Sequence, residues 1–163
     1  MSRRFTIELI KWSDDPKRKT LILCGEGQSG KIRAVRKLAS ETNRELIIID
    51  LANPEFSRIC KENAPKEMTA ALASAAGKEI AGNRSILYLD SLEKCPELIP
   101  ELKNIHKEIP ELPLIVTGNG IDNLLKKYEA DLPASMFTYL LHTPFSFNDL
   151  IREITPGSGY RDR

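Results

Sequence analysis

The sequence predicts an α/β fold in three layers: a parallel five-stranded sheet flanked by helices on both faces. Three observations predict it. Short, almost wholly apolar runs recur along the chain, as expected of strands buried on both faces. Stretches with apolar residues at helical spacing separate them, joined by short turns. The chain has 163 residues, enough for one substantial core. The expected organisation is a single domain over 1–154 and a disordered tail over 155–163, "TPGSGYRDR" being its last stretch.

"FTIELIKW" (5–12) sets Phe5, Leu9 and Trp12 on one helical stripe. "DDPKRK" follows as a charged turn, with Lys17, Arg18 and Lys19 expected in solvent. "TLILC" (20–24) is the first strand, and "KIRAVRKLASE" (31–41) a helix with Ile32, Val35, Leu38 and Ala39 on one face. "ELIIIDL" (45–51) is the second strand, closed by "ANP". "KEMTAALASAAGKEIAG" (66–82) reads as a helix ended by Gly82. "RSILYLD" (84–90) is the third strand, and a helix begins near Pro100 within 96–109. "LPLIVTG" (112–118), "GIDNLLKKYEA" (120–130) and "MFTYLLH" (136–142) give a fourth strand, a helix and a fifth strand. "SFNDLIREI" (146–154) is the last helix, with Ser146 as its N-cap.

Hydrophobic residues make up 41% and charged residues 29%, a composition of folded domains rather than of disordered chains. Lys and Arg total 24 against 23 Asp and Glu, a net charge of +1, so no nucleic-acid footprint is indicated. No apolar run approaches the roughly 20 residues of a membrane span, and the first twelve residues fail as a signal peptide. Cys24, Cys60 and Cys95 are odd in number and far apart, which suits a reducing, cytoplasmic setting and small apolar roles. His106 and His142 lie far from any nucleophile motif and are expected on or near the surface without catalytic duty.

"CGEGQSGKIRAV" (24–35) is the stretch with chemistry in it. In G-x-x-x-x-G-K-[ST], glycines let backbone N–H groups wrap a phosphate at a helix N-terminus. The lysine reaches the β- and γ-phosphates, and the hydroxyl ligates magnesium. Gly25, Gly30 and Lys31 occupy the required positions, between a buried strand and an amphipathic helix. The candidate nucleotide-binding residues are therefore Gly25, Glu26, Gly27, Gln28, Ser29, Gly30, Lys31 and Ile32. Ile32 has no oxygen to offer a cation, so the anion cradle is intact while the magnesium seat is damaged. A glycine-rich turn without chemical use is the alternative.

A second signature of phosphate-loop ATPases is an apolar strand ending in Asp, then usually Glu; the Asp orders magnesium and the Glu activates water. "SILYLDSLEKCP" supplies Asp90, the candidate catalytic and metal residue, but Ser91 stands where the base belongs. Asp90 as a simple cap after a strand is the alternative. Glu93 lies two residues beyond the strand and is expected to point elsewhere. "IVTGNG" brings Thr117 and Asn119 to the same end of the sheet, either to orient water or merely as a turn.

Together "RRFTIELIKW…RKTLILCGEGQSGK", "LYLDSLEKCPELIPELKNIHKEIPELPLIVTGNG" and "LPASMFTYLLHTPFSFNDLIRE" resemble the ATPase domain of a bacterial and archaeal AAA+ family. In that family this domain precedes a large C-terminal domain of unknown function, which is expected to be absent here. The resemblance implies a three-layer, AAA+-like P-loop NTPase fold. It also implies three departures at chemical positions: Ile32 for a threonine, Ser91 for a glutamate, and Ser135-Met136 for a Gly-Arg pair before the fifth strand. That arginine would neutralise charge on the transferring phosphoryl group.

The expected function is nucleotide binding, with ATP or ADP as cofactor, magnesium in doubt, and little or no hydrolysis. Asp90 and Asn119 are the candidate catalytic residues. The alternatives are an ATPase with unorthodox catalytic residues, for which Glu93 and Asn119 are the suspects, and a protein-interaction module that no longer binds nucleotide. Expected partners are nucleotide and either a protein partner or a second copy, with no membrane.

Overall fold

The computed structural model describes residues 3–25 and 28–142. Five strands, β1 (Thr20–Cys24), β2 (Glu45–Asp50), β3 (Ser85–Asp90), β4 (Leu114–Val116) and β5 (Phe137–Leu141), form one sheet in the order β2-β3-β4-β1-β5. Every neighbouring pair is parallel. The register puts Asp50 opposite Asp90, so the apolar runs of β2 and β3 both end in a carboxylate at the same edge of the sheet.

Among the described residues six α-helices cover the faces: α1 (Arg3–Asp14), α2 (Gln28–Glu41), α3 (Pro54–Glu62), α4 (Pro65–Ala75), α5 (Ile99–Glu108) and α6 (Ile121–Lys126). Alternation along each strand sorts its residues between two cores. Leu21, Leu23, Ile86, Tyr88 and Ile115 pack with Phe5, Leu9 and Trp12 of α1 and Val35 and Leu38 of α2. Ile22, Ile47, Ile49, Leu87, Leu89 and Val116 pack with α3 to α6 on the other face. The helix after β1 therefore lies on one face and the helix after β4 on the other. That reversal between adjacent strands is a topological switch point, where open parallel sheets leave a crevice outside the carboxyl ends.

Four local expectations are corrected. α3 was not foreseen; Asn53 caps it, accepting the Glu55 N–H at 3.0 Å, and Pro54 opens it. α4 stops at Ala75 rather than Gly82, because Gly77 takes φ 74 and donates its N–H to Ser74. The helix expected over 120–130 is regular only over Ile121–Lys126. Arg18 is 8% exposed rather than solvated: its guanidinium donates to the carbonyls of Ser13, Asp15 and Glu111 and to Asn83 Oδ1. It ties the turn after α1 to the end of the sheet remote from the crevice.

Cys60 and Cys95 are both buried among the apolar residues of the second core. Among the described residues no helix is long and apolar enough to cross a membrane. The expected last helix with Ser146, the tail 155–163, and Glu26 and Gly27 lie outside the described residues.

Candidate functional site at the carboxyl end of the sheet

β1 ends at Cys24, Gly25 turns the chain at φ 121, and α2 begins at Gln28. The turn is thus only a few residues long and delivers the α2 N-terminus, with its unpaired N–H groups and positive dipole end, to the crevice. Gly25 and Gly30 are both needed without side chains. A β-carbon on Gly25 would collide with the His142 carbonyl, and one on Gly30 would meet His142 Cε1 at 2.8 Å. Gln28 and Ser29 lie in the first turn of α2. Lys31 follows, half-buried, and its charge acts on Asp90, Cys24 and His142. Ile32 is partly buried against the α1-side core.

Asp90, the last residue of β3, is 3% exposed. Thr117, just after β4, is equally buried and donates its hydroxyl to Asp90 Oδ1 at 2.6 Å. That is the length of a charge-assisted O–H···O⁻ bond. Burial pushes the Asp90 carboxyl above the ordinary aspartate range, and the nearby Asp50 adds to this. The bonds from Thr117 and the Ser91 N–H, with the charge of Lys31, pull it down without cancelling the rise.

Ser91 stands at φ 61, a left-handed conformation uncommon outside glycine. Glu93 is turned to the β4 loop, where its Oε1 accepts the Asn119 N–H at 3.0 Å. Asn119 itself is exposed. Ser135 is exposed and Met136 leans on the second core in a short turn before β5.

His142, expected near the surface, is 4% exposed. It follows β5 directly, and because β5 pairs with β1 in register its N–H reaches the Cys24 carbonyl at 2.8 Å. The ring packs edge-on against Phe5, centroids 4.9 Å apart. Burial, then the charge of Lys31, holds the imidazole below the ordinary histidine range. Sequence reasoning missed this residue, and also Asp50, whose position at the end of "ELIIID" repeats that of Asp90 in "SILYLD".

The family model described as AAA domain matches residues 17–151, which span the loop, Asp90, Thr117 and all five strands. The chain belongs to the AAA domain family. No curated protein matches it. Among solved structures, this AAA domain is similar to a chain of Drosophila ORC bound to DNA. The two share 13% identity over 88% of this chain and 95% of that chain, at a TM-score of 0.53. At that identity the likeness is one of fold.

The donors of the AAA domain suit an anion better than a cation. Two glycines held free of β-carbons, a helix N-terminus and Lys31 converge on one turn. For magnesium the nearby oxygens are those of Asp90 and Thr117, already bonded to each other, and of Asp50; Ile32 contributes none. Among the described residues no group of three or more His, Cys, Asp or Glu is placed to hold a metal.

Proposed function

We propose that this AAA domain binds ATP or ADP at Gly25–Ile32 and hydrolyses it very slowly or not at all. The single observation that carries the reading is the glycine turn opening α2 at the switch point of the sheet, with Lys31 close enough to Asp90 to shift it. When bound, the nucleotide would supply phosphate anions for those backbone N–H groups and Lys31. Asp90 would be the weak metal residue of the site, held by Thr117.

The reading of slow turnover rests on three positions. Ile32 offers no metal oxygen, Ser91 has no basicity near neutral pH, and Met136 has no charge for a transferring phosphoryl group. Glu93 is a poor substitute base, since its carboxylate is engaged by the Asn119 amide. A regulatory nucleotide-binding module of the cytoplasm, acting on a protein partner or a second copy of itself, fits this combination.

Phosphate release tests it. General-base help is worth about 10²–10⁴ in rate, an arginine finger about 10³–10⁵, and parts of one machine are not additive. The wild type and Ile32→Thr should release phosphate no faster than buffer. The triple change Ile32→Thr, Ser91→Glu, Met136→Arg should release it measurably at high protein concentration. Wild-type turnover that is lost in Lys31→Ala would instead make the domain an ATPase with an unorthodox water-activating residue.

A further inference from the structure

We propose that His142 is a positioning residue of the phosphate loop, and that phosphate binding at the α2 N-terminus is coupled to proton uptake on its imidazole. The inference rests on the nucleotide reading above and adds a residue and a proton to it.

His142 braces the loop at both ends. Its carbonyl occupies the space beside Gly25, and its ring the space beside Gly30. From where a Gly30 β-carbon would stand, Cε1 is 2.8 Å away and both Nδ1 and Nε2 are 3.6 Å away. The ring therefore presents the carbon between its two nitrogens to Gly30 in the first turn of α2. Nδ1 is buried and has no hydrogen-bond partner among the described residues. A buried ring nitrogen left without a partner is costly, and such atoms call for an explanation. A phosphate oxygen in the adjacent cradle is a partner of the right kind. Neutral imidazole offers one donor and one acceptor, whereas the protonated ring offers two donors to an anion.

The surrounding charges fit a ring that is neutral until an anion arrives. From α2 the facing charge is Lys31. From β1 the titratable neighbour is the Cys24 thiol, which burial holds in its neutral form. On α1, Arg4 and Glu8 flank Phe5 in sequence, and the amino terminus precedes that helix. Among the described residues no carboxylate contributes to the shift of His142; its causes are burial and positive charge, both opposing protonation. Phosphate would counter the second of these. The ring takes up one proton from solvent and no bond is broken.

The test uses the two histidines of the chain as its probes. His142 is titrated by NMR with and without saturating ADP, with His106 as the internal control. The expected result is an upward shift of at least half a pH unit for His142 and none for His106. Calorimetry at pH 6.5 in buffers of different ionisation heat should show more proton uptake in the wild type than in His142→Gln, which removes the ligand's own titration from the comparison. Wild-type affinity should gain over the variant as pH falls, reaching about threefold once pH lies below both His142 titrations, the factor equivalent to half a unit. ADP binding with an unmoved His142 titration overturns this inference alone. A wild type that does not bind ADP overturns the nucleotide reading and the inference with it.

Discussion

Thr117 Oγ1 donates to Asp90 Oδ1 at 2.6 Å across the β3–β4 pair, and both residues are almost wholly buried. The bond locks the carboxylate at the sheet edge in one orientation and stabilises its ionised form against burial. Thr117→Val removes the donor but keeps the shape. It should cost about 1.5–3 kcal/mol, the range for hydrogen bonds to charged groups, as read by chemical denaturation at pH 7. Thr117→Ser should recover most of that loss.

The direction of the Asp90 shift gives a pH dependence. Its folded-state carboxyl sits above the ordinary aspartate value of about 3.9. The folded state therefore holds the proton more tightly than the unfolded chain. The contribution of Asp90 to stability is fully present below the unfolded value and is lost as pH rises through the folded one. At neutral pH the burial of the charge opposes folding in full. Asp90→Asn should thus raise the melting temperature at pH 7. The gain should vanish below about pH 4. A variant melting lower than wild type at pH 7 would mean that the ionised carboxylate is net stabilising.

Gly25 and Gly30 should differ in their tolerance of alanine. At Gly25 the backbone stands at φ 121 and faces the carbonyl of His142, so Gly25→Ala carries strain of about 1–3 kcal/mol that no side-chain change can relieve. At Gly30 the obstacle is the His142 ring. Gly30→Ala should destabilise the wild type by about 1–3 kcal/mol and be nearly neutral in a His142→Ala background. A double-mutant cycle measures that coupling.

Magnesium should matter little to binding. With Ile32 in place of a hydroxyl and Asp90 bonded to Thr117, chelation should change ADP affinity by less than tenfold, or about 1.4 kcal/mol. Calorimetric titrations in magnesium and in chelator check this, and Ile32→Thr should be more magnesium-dependent than wild type.

The strands were legible in the sequence because burial on both faces writes apolar runs. Such a run ends where the strand does, which is why Asp90 and the Gly25 turn stood out. α3 was not legible because "ANP" reads as a turn, although Asn53 and Pro54 are also a cap and a first helical residue. α4 was drawn too long because Gly77 and Gly82 are equal as letters and both take a positive φ; the helix ends at the first of them, where Gly77 donates its N–H to the Ser74 carbonyl. His142 was misjudged for a different reason. Its burial comes from the register of β5 on β1, a contact over a hundred residues apart that carries no local pattern.

The central claim, that the loop binds nucleotide through Lys31, is tested most directly by calorimetric titration of ADP into the wild type and Lys31→Ala. The account predicts saturable binding of about one ADP per chain in the wild type. It predicts at least a tenfold loss, about 1.4 kcal/mol, in the variant, with both proteins melting at the same temperature. No binding by the wild type at millimolar ADP, or equal affinity in the two proteins, would contradict it.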